Sequence, residues 1–227
     1  MTRYGMVIDL HKCVGCGACQ IGCKNENNVA EGMFWSHHII ETSGAFPSVR
    51  YEYTPTLCNH CTDAACVAVC PQGAMTKDEN GITVHDSEKC IGCQTCLKAC
   101  PYGVINYNEE AADSEQKHEP LIEGATGSAK ELEEKSGCVF PYINKDRGAT
   151  YPVVRPSSTV EKCTFCDHRV KNGLLPYCVE VCPAQSRIFG DLEDTNSDVS
   201  RALQEHEGRV LKPEEGTDPA VFYIREF

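Results

Sequence analysis

The chain is poor in the material of an ordinary hydrophobic core. Aromatic residues fill 7% of its 227 positions, and tryptophan occurs once. Apolar residues reach 41%, so side-chain burial gives modest cohesion and cross-links of another kind have to supplement it. Long apolar runs are missing: none approaches the roughly 20 residues of a membrane-spanning helix, which excludes self-insertion into a bilayer. Basic residues are scarce as well. With 21 Lys and Arg against 33 Asp and Glu the net charge is -12, which excludes a nucleic-acid backbone as a partner. No nucleotide-binding glycine loop is evident.

Cysteine is what the chain has in excess. Sixteen of its 17 cysteines fall into four groups of four. Group one is Cys13, Cys16, Cys19 and Cys23; group two is Cys58, Cys61, Cys66 and Cys70. Group three is Cys90, Cys93, Cys96 and Cys100; group four is Cys163, Cys166, Cys178 and Cys182. Groups one and three read C-x2-C-x2-C-x3-C, the run that holds iron–sulfur clusters in bacterial ferredoxins. Four groups of four thiolates predict four cubane clusters and a chain built to conduct electrons. Disulfides fit poorly, because the ligands crowd into single segments and disulfide scaffolds are usually shorter secreted chains. A zinc-stabilised interaction scaffold is the rival of another class, but zinc sites of four cysteines draw paired C-x2-C motifs from two segments. Cys138 has no neighbour at ligand spacing and reads as a bystander thiol.

Self-contained catalysis is not expected. A radical enzyme built on S-adenosylmethionine would need C-x3-C-x2-C, and the positions that would complete it are Glu26, Gly73, Gly103 and Gln185. The first ligand, Cys13, leaves no room for a cleavable signal peptide and no twin-arginine pair precedes it, so the chain is expected to be soluble and to carry no address of its own.

An internal repeat organises the chain. Val7-Ile8-Asp9-Leu10-His11-Lys12-Cys13-Val14-Gly15-Cys16 matches Val84-His85-Asp86-Ser87-Glu88-Lys89-Cys90-Ile91-Gly92-Cys93, which reads as duplicated two-cluster units. In every group the last two cysteines are four residues apart, a spacing that predicts one face of a short helix. Pro71, Pro101 and Pro183 stop three of these helices; group one has Lys24 there, so its helix is expected to run on through Asn28. Short strands are expected at Met6–Asp9, Ala74–Thr76, Ile82–His85, Val104–Tyr107 and Arg187–Phe189, the second and third joined across Asn80-Gly81. Residues 109–135 hold nine acidic and three basic side chains and predict a surface excursion with one short helix after Ser128. Residues 138–156 read as extended. The tail predicts a helix near Asp198–Glu207, ended by Gly208, and then an extended arm with an apolar end at Val221–Ile224.

In two-cluster ferredoxins the fourth cysteine of each run ligates the other cluster. Groups therefore pair and cross ligands, and with four groups three pairings are open. Here the sequence resembles a known family, the four-cluster electron-transfer subunits of the dimethyl-sulfoxide-reductase superfamily of molybdopterin oxidoreductases. The order of the groups carries the resemblance, with CNHC at Cys58–Cys61, CPQGAM at Cys70–Met75, CPYGVI at Cys100–Ile105, KCTFCDHR at Lys162–Arg169 and the closing LKPEEGTDPAVFYI at Leu211–Ile224. It spans nearly the whole chain.

The resemblance implies that group one pairs with group four and group two with group three. One cluster would use Cys13, Cys16, Cys19 and Cys182; the second Cys23, Cys163, Cys166 and Cys178; the third Cys58, Cys61, Cys66 and Cys100; the fourth Cys70, Cys90, Cys93 and Cys96. In the family that order runs outward from the molybdenum subunit. Some relatives lack a ligand at the position of Cys93 and hold a three-iron cluster there; Cys93 is present, so four [4Fe–4S] clusters are expected. The implied fold is α+β, two bacterial-ferredoxin-like two-cluster units with long loop insertions. Residues 1–50 with 157–190 would form the first unit and 51–108 the second. An acidic insertion would occupy 109–156, and a C-terminal helix and extended arm 191–227.

The resemblance also implies a molybdopterin-containing catalytic subunit as partner, with a quinone-linked membrane subunit or another donor beyond it. TLCNHC and the WSHHI stretch at Trp35–Ile39 are closest in pattern to small subunits of respiratory arsenate reductases. Subunits of tetrathionate, polysulfide and thiosulfate reductases and of catechol dehydroxylases are similar. The alternative within electron transfer is the small subunit of a hydrogenase or formate-hydrogen complex. Relatives often cross the membrane folded, on the partner's twin-arginine signal, which implies an extracytoplasmic location over a cytoplasmic one.

Other residues carry expectations of their own. Lys12, Lys89 and Lys162 each precede the first cysteine of a group, where a positive charge would raise a cluster's potential or simply be solvated. Gly15, Gly17 and Gly92 read as turn residues that let backbone N–H groups approach cluster sulfur. His37 and His38, beside Phe34 and Trp35, read as half-buried strand residues in preference to a docking surface. His60 is not needed as a ligand.

Overall fold

The computed structural model describes residues 2–110, 127–137 and 144–225, so Cys138 and most of the acidic stretch lie outside the described residues. Its elements, in chain order, are β1 (Tyr4–Asp9), α1 (Ala18–Asn27), β2 (Ser36–Ser43), β3 (Arg50–Leu57), α2 (Ala65–Ala68), β4 (Met75–Lys77), β5 (Thr83–His85), α3 (Thr95–Ala99), β6 (Asn106–Asn108), α4 (Ala129–Ser136), β7 (Thr159–Glu161), α5 (Asp167–Val170), α6 (Tyr177–Glu180), β8 (Arg187–Asp191), α7 (Asp198–Glu205) and β9 (Val221–Ile224). Helices and strands are mixed and short, as expected for cysteine-rich segments that fold around their ligands. No helix among the described residues is long and apolar enough to cross a membrane.

β1 is the centre of the only three-stranded sheet among the described residues, in the order β8-β1-β9. It pairs antiparallel with β8, placing Ile8 opposite Arg187, and parallel with β9, placing Val7 opposite Phe222. Alternation then divides its side chains. Met6 and Ile8 join the main core with Cys19, Cys23, Cys163 and Cys178, while Val7 faces Val199 and Ala202 of α7 and Ile224 of β9. Asp9, at the strand end, accepts from the backbone N–H of His11 at 3.2 Å and takes an ion pair with Arg225 just beyond β9.

The remaining sheets are two-stranded hairpins or pairs: β2 with β3, β4 with β5, and β6 with β7. The β4–β5 hairpin turns through Asn80-Gly81, with Met75 opposite His85. The capping signal at Ser128 is realised as a reciprocal box: Glu131 N–H donates to Ser128 Oγ at 3.2 Å and Ser128 N–H to Glu131 Oε2 at 3.0 Å.

Three expectations are corrected. In groups two, three and four the last cysteine sits just past its helix, since α2, α3 and α6 end at Ala68, Ala99 and Glu180. The proline that follows each of them explains this, because it disfavours helical geometry in the residue before it; Cys100 is extended at φ -75 and ψ 113. α1 has no such proline and runs to Asn27. Residues 144–156 are not simply extended surface chain: Lys145–Ala149 form a 3-10 turn, and Arg147, Tyr151 and Arg155 are buried. Of the eight-residue β2–β3 hairpin, with Ser36 opposite Leu57 and Ser43 opposite Arg50, only the strand at His37 and His38 has a counterpart among the expectations.

Candidate metal centres

Each cysteine run is presented by a loop. In group one the loop leaves β1, passes Gly15 and Gly17 at φ 64 and φ 75, and enters α1. In group three Gly92 holds φ 67, and a Cβ there would overlap the carbonyl oxygen of Ser158. Gly92 is thus fixed by a close backbone approach in addition to its left-handed turn. Tyr53 of β3 lies over Gly15 and donates from its hydroxyl to the carbonyl of Cys13 at 2.9 Å.

All sixteen grouped cysteines are free. Cys16 and Cys93, the second cysteine of each tight run, are exposed; the others are buried or half-buried. Burial first, and then neighbouring sulfurs, push most of these thiols up, and the neighbours name themselves. Cys13 feels Cys19 and Cys182, and both Cys13 and Cys16 act on Tyr53. Cys23 is raised well above an ordinary thiol by burial and then by Cys166, Cys163 and Cys178. Cys66 is pushed up to about 12 by burial, with Cys58, Cys100 and Cys61 adding to it. Cys96 is pushed up to about 11 by burial, with Cys70, Cys90 and Cys93 adding to it. These last four also line one cavity, with Met75 and Val160.

The four neighbourhoods are strung together. Cys19 of the first acts on Cys178 of the second, and Cys58 of the third on Cys163 of the second, all four within the main core cluster. Cys66 and Cys100 of the third share an apolar cluster with Cys70, Cys90 and Cys96 of the fourth.

Thiols so crowded cannot ionise together without a cation among them. Soft thiolate donors in fours suit zinc or an iron–sulfur cluster. A single zinc would draw its four sulfurs to about 2.3 Å from one point. Among the described residues no three His, Cys, Asp or Glu side chains converge on a single-ion site, whereas a cubane, in which each of four cysteine sulfurs would bind a different iron, needs the looser cage. The donor set fits [4Fe–4S] clusters, which when bound supply one-electron redox centres.

The chain's own residues hold this cage. Asn27 Nδ2 reaches both Cys23 Sγ and Cys166 Sγ at 3.6 Å. Cys182 is held below an ordinary thiol: burial opposes this, but Ser186 outweighs it with its backbone N–H at 3.3 Å and its hydroxyl at 3.2 Å. Thr95 Oγ1 donates to exposed Cys93 at 3.3 Å and lowers it.

Of the three lysines singled out by position, Lys12 and Lys89 are exposed and Lys89 pairs with Asp86 at 3.2 Å. Lys162 alone is buried, and its ammonium donates to the carbonyls of Thr83 and Cys163. His37 and His38 are half-buried strand residues of β2. His60 is buried and pushed far below its ordinary value by burial and then by Lys162 and Lys77, so it stays neutral. Its Nδ1 accepts from Thr83 N–H at 3.1 Å.

Position along the chain does not reveal a buried charge network. Arg155 pairs with Glu161 at 2.6 Å, both fully buried, and donates to the carbonyls of Asn27 and Asn28. Glu161 also accepts from Trp35 Nε1 at 2.9 Å and Asn108 Nδ2 at 3.1 Å. Arg147 pairs with Asp167 at 3.0 Å, and His168 Nε2 lies 2.7 Å from Glu26. The one signal is DHR at Asp167–Arg169, two charges and a histidine directly behind Cys166.

Comparison with known proteins agrees with this chemistry. A family described as 4Fe-4S dicluster domain matches residues 49–118 and 145–192, and one described as 4Fe-4S binding domain matches residues 10–27. The chain is 52% identical to the arsenate respiratory reductase iron–sulfur subunit of Shewanella sp. (strain ANA-3), over 99% of this chain and 97% of the relative. It is 40% identical to a putative dimethyl sulfoxide reductase iron–sulfur subunit of Halobacterium salinarum, over 99% and 79%. It is 35% identical to a subunit of the tetrathionate reductase of Salmonella typhimurium, over 98% and 72%. A non-catalytic cluster carrier on this scale has one place in such complexes: the chain belongs to the iron–sulfur, electron-transfer subunits of the molybdopterin oxidoreductases of the dimethyl-sulfoxide-reductase superfamily.

Proposed function

We propose that the chain relays electrons to or from the catalytic subunit of an arsenate-type respiratory reductase, through clusters held by crossed ligand sets. The sets are Cys13, Cys16, Cys19 and Cys182; Cys23, Cys163, Cys166 and Cys178; Cys58, Cys61, Cys66 and Cys100; and Cys70, Cys90, Cys93 and Cys96. One observation carries the crossing: Cys23, from group one, has Cys166, Cys163 and Cys178 of group four as its sulfur neighbours. The influence of Cys19 on Cys178 and of Cys58 on Cys163, with the apolar cluster that Cys66 and Cys100 share with Cys70, Cys90 and Cys96, supports a linear order from the first set to the fourth. The same crossing supports two ferredoxin-like units, one of them split between residues 1–50 and 157–190, with 51–108 as the other.

The arsenate reading rests on the 52% identity to the Shewanella subunit over nearly its full length. The chain would then sit on the extracytoplasmic side, exported with its partner, and exchange electrons with a quinone-linked membrane subunit. Anaerobic purification from the native source tests the whole reading. It predicts about sixteen irons per chain and a co-purifying pterin-bearing subunit that reduces arsenate. About twelve irons per chain would sink the count of four [4Fe–4S] clusters, and a pterin partner inactive on arsenate would sink the substrate. For the crossing, Cys23→Ser should disturb the EPR signal of the cluster that Cys163→Ser disturbs; disturbance of separate clusters would refute it.

A further inference from the structure

Three arginines are almost wholly buried: Arg147, Arg155 and Arg187. Two are explained by carboxylates, Asp167 for Arg147 and Glu161 for Arg155. Arg187 is 3% exposed, and among the described residues none of its partners is an acid. Its guanidinium donates to Ser36 Oγ at 3.1 Å and lies 3.9 Å from Met6 Sδ, both neutral. A buried, unpaired cation costs several kcal/mol, so a fold that keeps one must bring an anion to it.

Tyr223 also faces it, but burial pushes that phenol up to about 12 and it stays neutral, so the candidates left are sulfur. Arg187 opens β8, directly opposite Ile8, the strand residue that leads into the group one loop. Its contact Met6 and its strand neighbour Ile8 pack in one core cluster with Cys19, Cys23 and Cys178, and burial, which opposes its charge, is outweighed first by Cys178 and then by Cys19, which favour it. Cys13 and Cys23 feel the same cation, which lowers both against the upward push of their burial. Cys13 and Cys19 belong to the first proposed ligand set, Cys23 and Cys178 to the second. Arg187 therefore stands at the junction of the two.

We infer that Arg187 is a fixed counter-cation shared by the first two clusters, holding up the reduction potential of both and leaving the other two alone. This rests on the ligand sets proposed above. Each cluster gains one negative charge when reduced, and a cation buried beside it stabilises that form more than the oxidised one. Low local dielectric and exclusion of water keep the effect local to the junction. The outer clusters have a different buried cation, Lys162, which acts on Cys66 of the third set.

EPR-monitored redox titration of the anaerobically purified complex tests this, with iron determined on each sample. In Arg187→Gln with full iron, two of the four potentials should fall and two stay. In Arg187→Lys the same two should fall by less, because the ammonium keeps the charge on a shorter reach without the fork. Unmoved potentials in a fully loaded Gln variant, or an equal fall in all four, would overturn the proposal. Should the Gln variant fail to hold iron, the Lys variant decides: a selective fall of two potentials supports the counter-cation, while four unmoved potentials refute it. Loss of iron from both variants would make Arg187 a folding determinant only, and the proposal fails. The ligand sets fail independently, if Cys23→Ser and Cys163→Ser disturb separate clusters.

Discussion

The two copies of the V-x-D-x-x-K-C-[VI]-G-C run arrive at the same loop from different supports. In both, an aspartate three positions before the lysine turns the chain: Asp9 accepts from the N–H groups of His11 and Lys12, and Asp86 from those of Glu88 and Lys89. In both, the residue after the first cysteine is exposed, Val14 at 63% and Ile91 at 61%, and so is the second cysteine. The local sequence has built one cradle twice. What surrounds it differs. The first copy hangs from the central strand of a sheet, its Asp9 buried and clamped by Arg225. The second hangs from a three-residue hairpin strand, its Asp86 half-buried and met by an exposed Lys89. Short-range sequence therefore sets the geometry of a cluster loop, and long-range packing sets how firmly it is held.

Breaking what holds both copies should have the largest effect. Arg155 and Glu161 join the end of α1, behind the first run, to β6 and β7, behind the second. Glu161→Ala leaves Arg155 buried without its acid and should cost about 3–5 kcal/mol, read as a fall in the anaerobic unfolding midpoint. Next is Gly92→Ala. The left-handed turn costs roughly 1–2 kcal/mol and overlap with Ser158 roughly 1–3 more, so iron retention should drop. Gly15→Ala meets only the ring of Tyr53 at 3.0 Å, which can shift, and should retain more iron than Gly92→Ala.

The aspartates give the sharpest contrast. Asp9→Asn withdraws the buried charge on which the Arg225 contact depends and should cost about 1–3 kcal/mol. Asp86→Asn, in the matching position, should cost about 0–1 kcal/mol. Equal losses in chemical denaturation would mean that burial does not separate the two copies. Smallest of all, Lys89→Ala removes an exposed ion pair and should change the midpoint by about 0–1 kcal/mol, shrinking further in salt.

Much of the site is legible in the sequence because cluster ligands are fixed by local spacing. The four groups, the repeat, the Asn80-Gly81 hairpin and the helix stop near each following proline all act within a few residues. Cysteine spacing alone makes the short helices too long at their ends, because a proline also restricts the cysteine before it. The long-range features are hidden for a common reason. β9 beside β1, the pairing of the His37–His38 strand with β3, and the burial of Arg147, Arg155 and Arg187 depend on partners that local spacing does not mark. Residues 144–156 illustrate this: three prolines across 138–156 favour extended chain, yet Arg155 from that stretch is the cross-brace of the core.

The sheet β8-β1-β9 also fixes a schedule. A ribosome releases β1 long before either of the strands that flank it. Until β8 and β9 follow, Met6, Val7 and Ile8 have neither edge covered, and under the proposed ligand sets group one waits with them for Cys178 and Cys182. Groups two and three are complete once residue 100 has emerged. Iron delivered to a half-made chain would, on those sets, find groups two and three ready first, and the last piece to close the sheet is β9, with Arg225 just beyond it.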